Sequence, residues 1–126
     1  MNQTIYRKPS ELCDYSSHSF ENTYLVDKIS FTKKVHCYCR LGGDCYTNNL
    51  EVTFNPGNII CDYVYLDKAI EERFEQSDSI IEEVLYGVYE IIKNQCPNST
   101  NINIKSTVVD SVPKDMPITV EINKDR

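Results

Sequence analysis

Two stretches near the middle of the chain place apolar residues at helical spacing, and shorter alternating stretches flank them on both sides. In residues 62–76, Tyr63, Leu66, Ile70 and Phe74 share one face, and Asp62 stands where a helix takes its N-cap. In residues 79–96, Ile81, Val84, Leu85, Val88, Ile91 and Ile92 form a second stripe. Ser79 and Glu82 supply the S-x-x-E of a capping box, and Cys96-Pro97-Asn98 closes the helix because proline cannot continue it. Ahead of these, Tyr24 to about Cys37 reads as a strand through Val26, Lys28, Ile29 and Phe31. Leu50-Glu51-Val52-Thr53-Phe54 alternates, Asn55-Pro56-Gly57-Asn58 turns the chain, and a short apolar piece, Ile59-Ile60-Cys61, leads into the first helix. Behind them, Ile102-Asn103-Ile104-Lys105 alternates, and Ile118-Thr119-Val120-Glu121-Ile122 follows a loop marked by Pro113 and Pro117. Each helical stripe needs an apolar surface to cover, and the strands offer one. The expected architecture is α+β in the order ββααββ: an antiparallel four-stranded sheet with two helices on one face. Residues 1–20 are polar and aperiodic and read as an arm, with residues 21–126 as a single domain.

Composition narrows the function classes. A chain of 126 residues, 40% of them hydrophobic, supports one core. The formal charge of −6 argues against a nucleic-acid face built on bulk electrostatics and favours a small-molecule or protein partner. No apolar run reaches the roughly 18 to 20 residues that cross a bilayer. The N-terminal residues lack the apolar core of a secretory signal, so the expectation is a cytoplasmic, reducing setting in which the six cysteines are free thiols. Asn2-Gln3-Thr4 and Asn98-Ser99-Thr100 match a glycosylation acceptor pattern by chance on that expectation.

The chemistry-bearing residues concentrate in His36-Cys37-Tyr38-Cys39-Arg40-Leu41-Gly42-Gly43-Asp44-Cys45, the expected connection between the first two strands. A metal clip from His36, Cys37, Cys39, Asp44 and Cys45 competes with a reactive thiol. Structural zinc sites use ligand pairs separated by two or more residues, usually two such pairs, and only one cluster occurs here.

Residues 39–54 and 57–68, with the element order, resemble the tunnelling fold, or T-fold, over roughly residues 24–122. This superfamily includes the 6-pyruvoyl- and 6-carboxytetrahydropterin synthases, the 7-cyano-7-deazaguanine (preQ0) reductases and their archaeal amidinotransferase relatives. Where the pterin synthases carry histidines that hold zinc, this chain has Gly42, Gly43 and Asp44, so that zinc site does not form. Where they anchor the pterin with a glutamate after the third strand, this chain has Ser106. The metal-free branch matches better. The preQ0 reductases use a cysteine and an aspartate seven positions on, the spacing of Cys37 and Asp44, before a strand that ends in proline, here Pro56. They hold the base with a glutamate early in the second helix, where Glu82 stands. Their glutamate-serine-lysine cofactor motif is replaced by Asp62-Tyr63-Val64, so no cofactor is implied with certainty, although NADPH is what a reduction would require.

The resemblance therefore implies a metal-free T-fold enzyme acting on a 7-deazaguanine or other purine- or pterin-like base. Cys37 is the leading nucleophile and Cys39 its rival, since counting back from Pro56 without gaps favours Cys39. Asp44 would protonate the nitrogen as a thioimide forms, and Glu82 would pair with adjacent N–H donors of the base. Glu83 is expected in solvent. Sites of this superfamily lie between subunits, which implies a homo-oligomer. The alternatives are a pterin synthase relative that has lost zinc and a non-catalytic oligomeric binding module.

Overall fold

The computed structural model describes residues 19–126. Its elements are β1 (Ser19–Glu21), β2 (Ile29–Tyr38), β3 (Cys45–Asn55), β4 (Ile59–Cys61), α1 (Tyr63–Phe74), α2 (Ile81–Gln95), β5 (Thr100–Val108) and β6 (Ile118–Lys124). Strands β2, β3, β5 and β6 form one antiparallel sheet in that order, and β1 pairs with β4 in a small two-stranded sheet. The α+β arrangement with two helices on one face of a four-stranded sheet is the expected one.

Period-two burial fixes which face of the sheet the helices cover. Val35 and Cys37 from β2, Leu50, Val52 and Phe54 from β3, and Ile102, Ile104 and Val108 from β5 all point inward. Against them pack Leu66, Ile70 and Phe74 of α1 and Val84, Leu85, Val88 and Ile92 of α2. The opposite face presents Thr32, Lys34, His36, Asn49, Glu51, Asn103 and Lys105, and no described helix covers it.

Several boundaries differ from the sequence reading for definite reasons. Residues 24–28 are not strand. The Asn22 side chain closes a turn there, donating to Val26 O at 2.9 Å and accepting from Val26 N–H at 2.9 Å, while Leu25 adopts a positive φ of 56°. Ser19 and Phe20 belong to β1 rather than to an arm, and residues 1–18, with Cys13 and His18, lie outside the described residues. Asp62 caps α1 as expected, accepting from Val64 N–H at 2.7 Å and Tyr65 N–H at 3.4 Å. The capping pair of α2 is one residue later than Ser79 and Glu82. Ile80 is the N-cap residue, and its N–H donates to the Glu83 carboxylate at 3.0 Å. Ser79 does not cap: its hydroxyl pairs with the Ser77 hydroxyl at 2.9 Å, and its N–H donates to Tyr38 O at 3.0 Å, which holds it against β2.

Candidate functional site

The β2–β3 hairpin turns through Cys39–Asp44 and closes on itself. Cys39 N–H donates to Asp44 O at 2.9 Å and Gly43 N–H to Cys39 O at 2.6 Å. Gly43 sits at φ 79°, a conformation open to glycine and costly for a side chain with a Cβ. Residues 75–79 then run along the outer edge of β2: Gln76 N–H donates to His36 O at 2.7 Å and Tyr38 N–H to Ser77 O at 2.8 Å. This short parallel pairing, centred on Tyr38 and Asp78, delivers the first turn of α2 beside the hairpin. A third wall comes from the β5–β6 connection. Thr47 donates its N–H and its hydroxyl to the Asp110 carboxylate, each at 2.9 Å, and the Ser111 hydroxyl donates to Cys45 O. Partial burial opposes ionisation of Asp110, but the two Thr47 donors prevail and hold its carboxyl below the usual range.

Together these walls enclose a cleft of about 280 Å³ bounded by Cys39, Leu41, Asp44, Tyr46, Ile81 and Glu82, with Ser111 and Val112 opposite. Three of the residues singled out from the sequence, Cys39, Asp44 and Glu82, therefore line one space. Cys39 is half-buried; Asp44 and Glu82 are exposed. Glu82 has no capping duty, since that falls to Glu83. Glu83 is not simply solvated either: it accepts both arms of Arg40, at 2.8 and 3.1 Å. The Ile80 N–H first, and then Arg40, hold the Glu83 carboxyl below its ordinary pKa.

Cys37 and Ser106 lie behind the cleft, inside the core. Cys37 is 2% exposed, and its thiol donates to Phe74 O at 3.3 Å. Asn48 Nδ2 donates to Cys37 Sγ at 3.5 Å, and the Ser106 hydroxyl donates to Asn48 Oδ1 at 3.0 Å. Burial pushes the Cys37 thiol pKa up, with hydrogen bonding from Ser77 opposing it. A thiol in this state is a poor nucleophile. Tyr46, which forms part of the cleft wall, is buried and donates its hydroxyl to Ser79 O; burial pushes its pKa up to about 12. Sequence reasoning did not single out Tyr46, and its even-numbered place on the inward face of β3 was the available signal.

The strand register separates the cysteines of the hairpin. Tyr38 and Cys45 are partners, and Cys45 points to the helix-free face while Cys37 and Cys39 point toward the helices. His36 also faces outward, with Nδ1 at 3.0 Å from Thr47 Oγ1. Among the described residues, no three His, Cys, Asp or Glu side chains converge to hold an ion. No described helix is long and apolar enough to cross a membrane. A larger cleft, about 490 Å³, lies between β2 and α1 beside Phe31, Tyr63 and the Lys33–Asp67 ion pair, and holds none of the candidate residues.

No family model matches the sequence, and no curated protein matches it. Among solved structures, the crystal structure of the archaeosine synthase QueF-Like in the apo form matches with a TM-score of 0.60 and 14% sequence identity, over 77% of this chain and 92% of that one. The chain has the T-fold. At this identity the likeness establishes the fold, so the chemistry of the cleft rests on the residues of this chain. Within the T-fold frame, the cleft sits at the β2–β3 hairpin and the start of α2, the two places where the sequence resemblance put the nucleophile and the base anchor. Ser106, expected from the resemblance to stand at the pterin anchor's position, is buried and committed to Asn48.

Proposed function

We propose that this protein is a metal-free T-fold enzyme whose hairpin cleft binds a planar, purine-like base of the 7-deazaguanine class, with Cys39 adding to a nitrile carbon on that base. The observation that carries this reading is the convergence of Cys39, Asp44 and Glu82 on one cleft walled by Leu41, Tyr46 and Ile81. The apolar walls suit a flat heterocycle, and a carboxylate at Glu82 pairs with adjacent N–H donors through charge-assisted hydrogen bonds. In the addition step, the sulfur–carbon bond forms as one π bond of the nitrile breaks. The thiol proton is lost and the nitrile nitrogen gains one, giving a thioimide with no oxidant or reductant consumed. In this reading Asp44, whose carbonyl accepts from Cys39 N–H across the turn, delivers the proton. Between the two thiols that the sequence offered, burial and the hydrogen bond to Phe74 O favour a supporting role for Cys37 and leave Cys39 at the cleft.

Reduction would need NADPH, and Asp62, at the place of the reductases' cofactor motif, is committed to capping α1. A pterin-directed reading lacks its anchor, because Ser106 does not face the cleft. The proposal includes a closed homo-oligomer that covers the edge of β6 and the edge of β2 ahead of His36, where residues 75–79 do not already pair with it. Calorimetric titration with 7-cyano-7-deazaguanine tests the reading. The wild-type chain should bind it, and Glu82→Gln should weaken binding by about tenfold or more, the worth of a charge-assisted hydrogen bond. Absence of heat with the wild-type chain would overturn the substrate class.

A further inference from the structure

We propose that Arg40 and Glu83 form a latch that sets how far the cleft opens, with Arg40 the positioning residue for Cys39 and Asp44; this rests on reading the hairpin cleft as the site. The two sides of the cleft are tied together just before the turn and the helix begin, by Tyr38 N–H to Ser77 O, Ser79 N–H to Tyr38 O and the Tyr46 hydroxyl to Ser79 O, but the turn itself and α2 share no backbone pairing. Cys39, Leu41 and Asp44 belong to the hairpin turn, and Ile81 and Glu82 to the first turn of α2. The turn's own hydrogen bonds, Cys39 to Asp44 and Gly43 to Cys39, are internal and fix nothing about its distance from the helix. The side-chain link that crosses between turn and helix is the two-armed contact of the Arg40 guanidinium with the Glu83 carboxylate, at 2.8 and 3.1 Å.

Glu83 is prepared for this partner. Its Oε1 also accepts from Ile80 N–H at 3.0 Å, so the carboxylate is oriented by its own helix before Arg40 docks. A planar guanidinium bound at two points fixes angle as well as distance, which a lysine at this position would not do. Gly42 and Gly43 lie two and three residues after Arg40, so a turn released from the helix has a flexible segment on which to swing. Both partners are nearly half exposed, at 48% and 43%, so the pair contributes little to global stability and can open while the fold stays intact. That combination suits a gate rather than a structural clamp.

Thiol labelling of the full chain without ligand tests this. Iodoacetamide is applied, and peptide mass spectrometry reads Cys39 against Cys45, an exposed thiol on the other sheet face, as the internal reference. Arg40→Ala and Glu83→Gln should each raise the Cys39:Cys45 labelling ratio about fivefold, the upper limit for an exposed ion pair, with Tm unchanged. Glu83→Gln keeps an acceptor for Ile80 N–H, Arg40→Lys should fall between wild type and Arg40→Ala, and the double variant should match the singles because both break one contact. High salt should raise the wild-type ratio and leave that of Arg40→Ala alone. An unchanged ratio in Arg40→Ala, additive effects in the double variant, or a rise that includes buried Cys37 and Cys61 with a lowered Tm would each overturn the latch. Because no ligand is present, its failure leaves base binding untouched, and a failed base titration leaves the latch standing.

Discussion

Gly87→Ala tests how the two helices set the geometry on which the cleft depends. In an exposed helix interior this change is favourable by about 1 kcal/mol, since alanine is the better helix former. Here Gly87 faces α1. An added Cβ would overlap Cζ of the Phe74 ring and lie 3.0 and 3.1 Å from Cε2 and Cε1. Phe74 is 4% exposed and wedged between β2 and α2, with its carbonyl receiving the Cys37 thiol, so it has little room to retreat. Overpacking of this kind costs about 3 kcal/mol at the upper end of its range, which leaves a net loss of about 2 kcal/mol after the propensity gain. For a domain of this length that corresponds to a fall in Tm of about 8 °C. The assay is thermal and urea unfolding of four chains: wild type, Gly87→Ala, Phe74→Leu and the double variant. Phe74→Leu removes the ring carbons that meet the new Cβ, so in that background Gly87→Ala should stabilise by about 1 kcal/mol. If Gly87→Ala has the same sign and size in both backgrounds, the close approach of α1 and α2 at Gly87 is not what limits this position.

Three further outcomes follow from the same structure. Asn48→Ala should lower stability by about 1–3 kcal/mol in urea unfolding, because it strips Ser106 and Cys37 of the partner that links them in the core. Asp62→Ala should cost about 1 kcal/mol, the usual worth of an N-cap, without changing base binding, since Asp62 serves α1 and not the cleft. Tyr46 makes stability fall at alkaline pH. Its folded pKa, about 12, lies above the ordinary 10.0, so its contribution is fully present below pH 10 and is lost as pH rises toward 12. The difference between wild type and Tyr46→Phe in unfolding free energy should shrink over that window and stay flat below it.

The helices were legible because their signals are local. The stripes at Leu66, Ile70 and Phe74 and at Val84, Leu85, Val88 and Ile92 need only a period of 3.6, and Asp62 caps N–H groups two and three residues on. What the sequence hid was set by distant partners. Ser79 has the chemistry of a cap, yet β2 draws its N–H to Tyr38 O, and the helix start moves to Ile80 with Glu83 as the reaching carboxylate. The run Tyr24-Leu25-Val26 has the composition of a strand, but Asn22 folds back on Val26 and turns the chain before Ile29. The three-residue strands β1 and β4 are too short to show any period, and only their pairing, with Phe20 opposite Ile60, defines them. The two candidate thiols are the sharpest case. Cys37 and Cys39 share a face, so alternation cannot rank them. Depth does: Cys37 lies under Phe74 and Asn48, whereas Cys39 has passed the end of that cover and meets the cleft beside Ile81. Asp44 and Glu82 could be named from the family resemblance, but their meeting on one cleft depends on residues 75–79 pairing along β2, a contact with no sequence signature.

The most direct measurement is the site of covalent attachment. The chain is incubated with 7-cyano-7-deazaguanine, the intact mass is recorded, and the modified cysteine is located by peptide mapping. The proposal predicts one adduct per chain, on Cys39, abolished by Cys39→Ala and slowed by Asp44→Asn, with Cys37→Ala still modified. An adduct mapped to Cys37 would contradict the assignment of the nucleophile, and an unmodified mass at saturating base would contradict the thioimide chemistry itself.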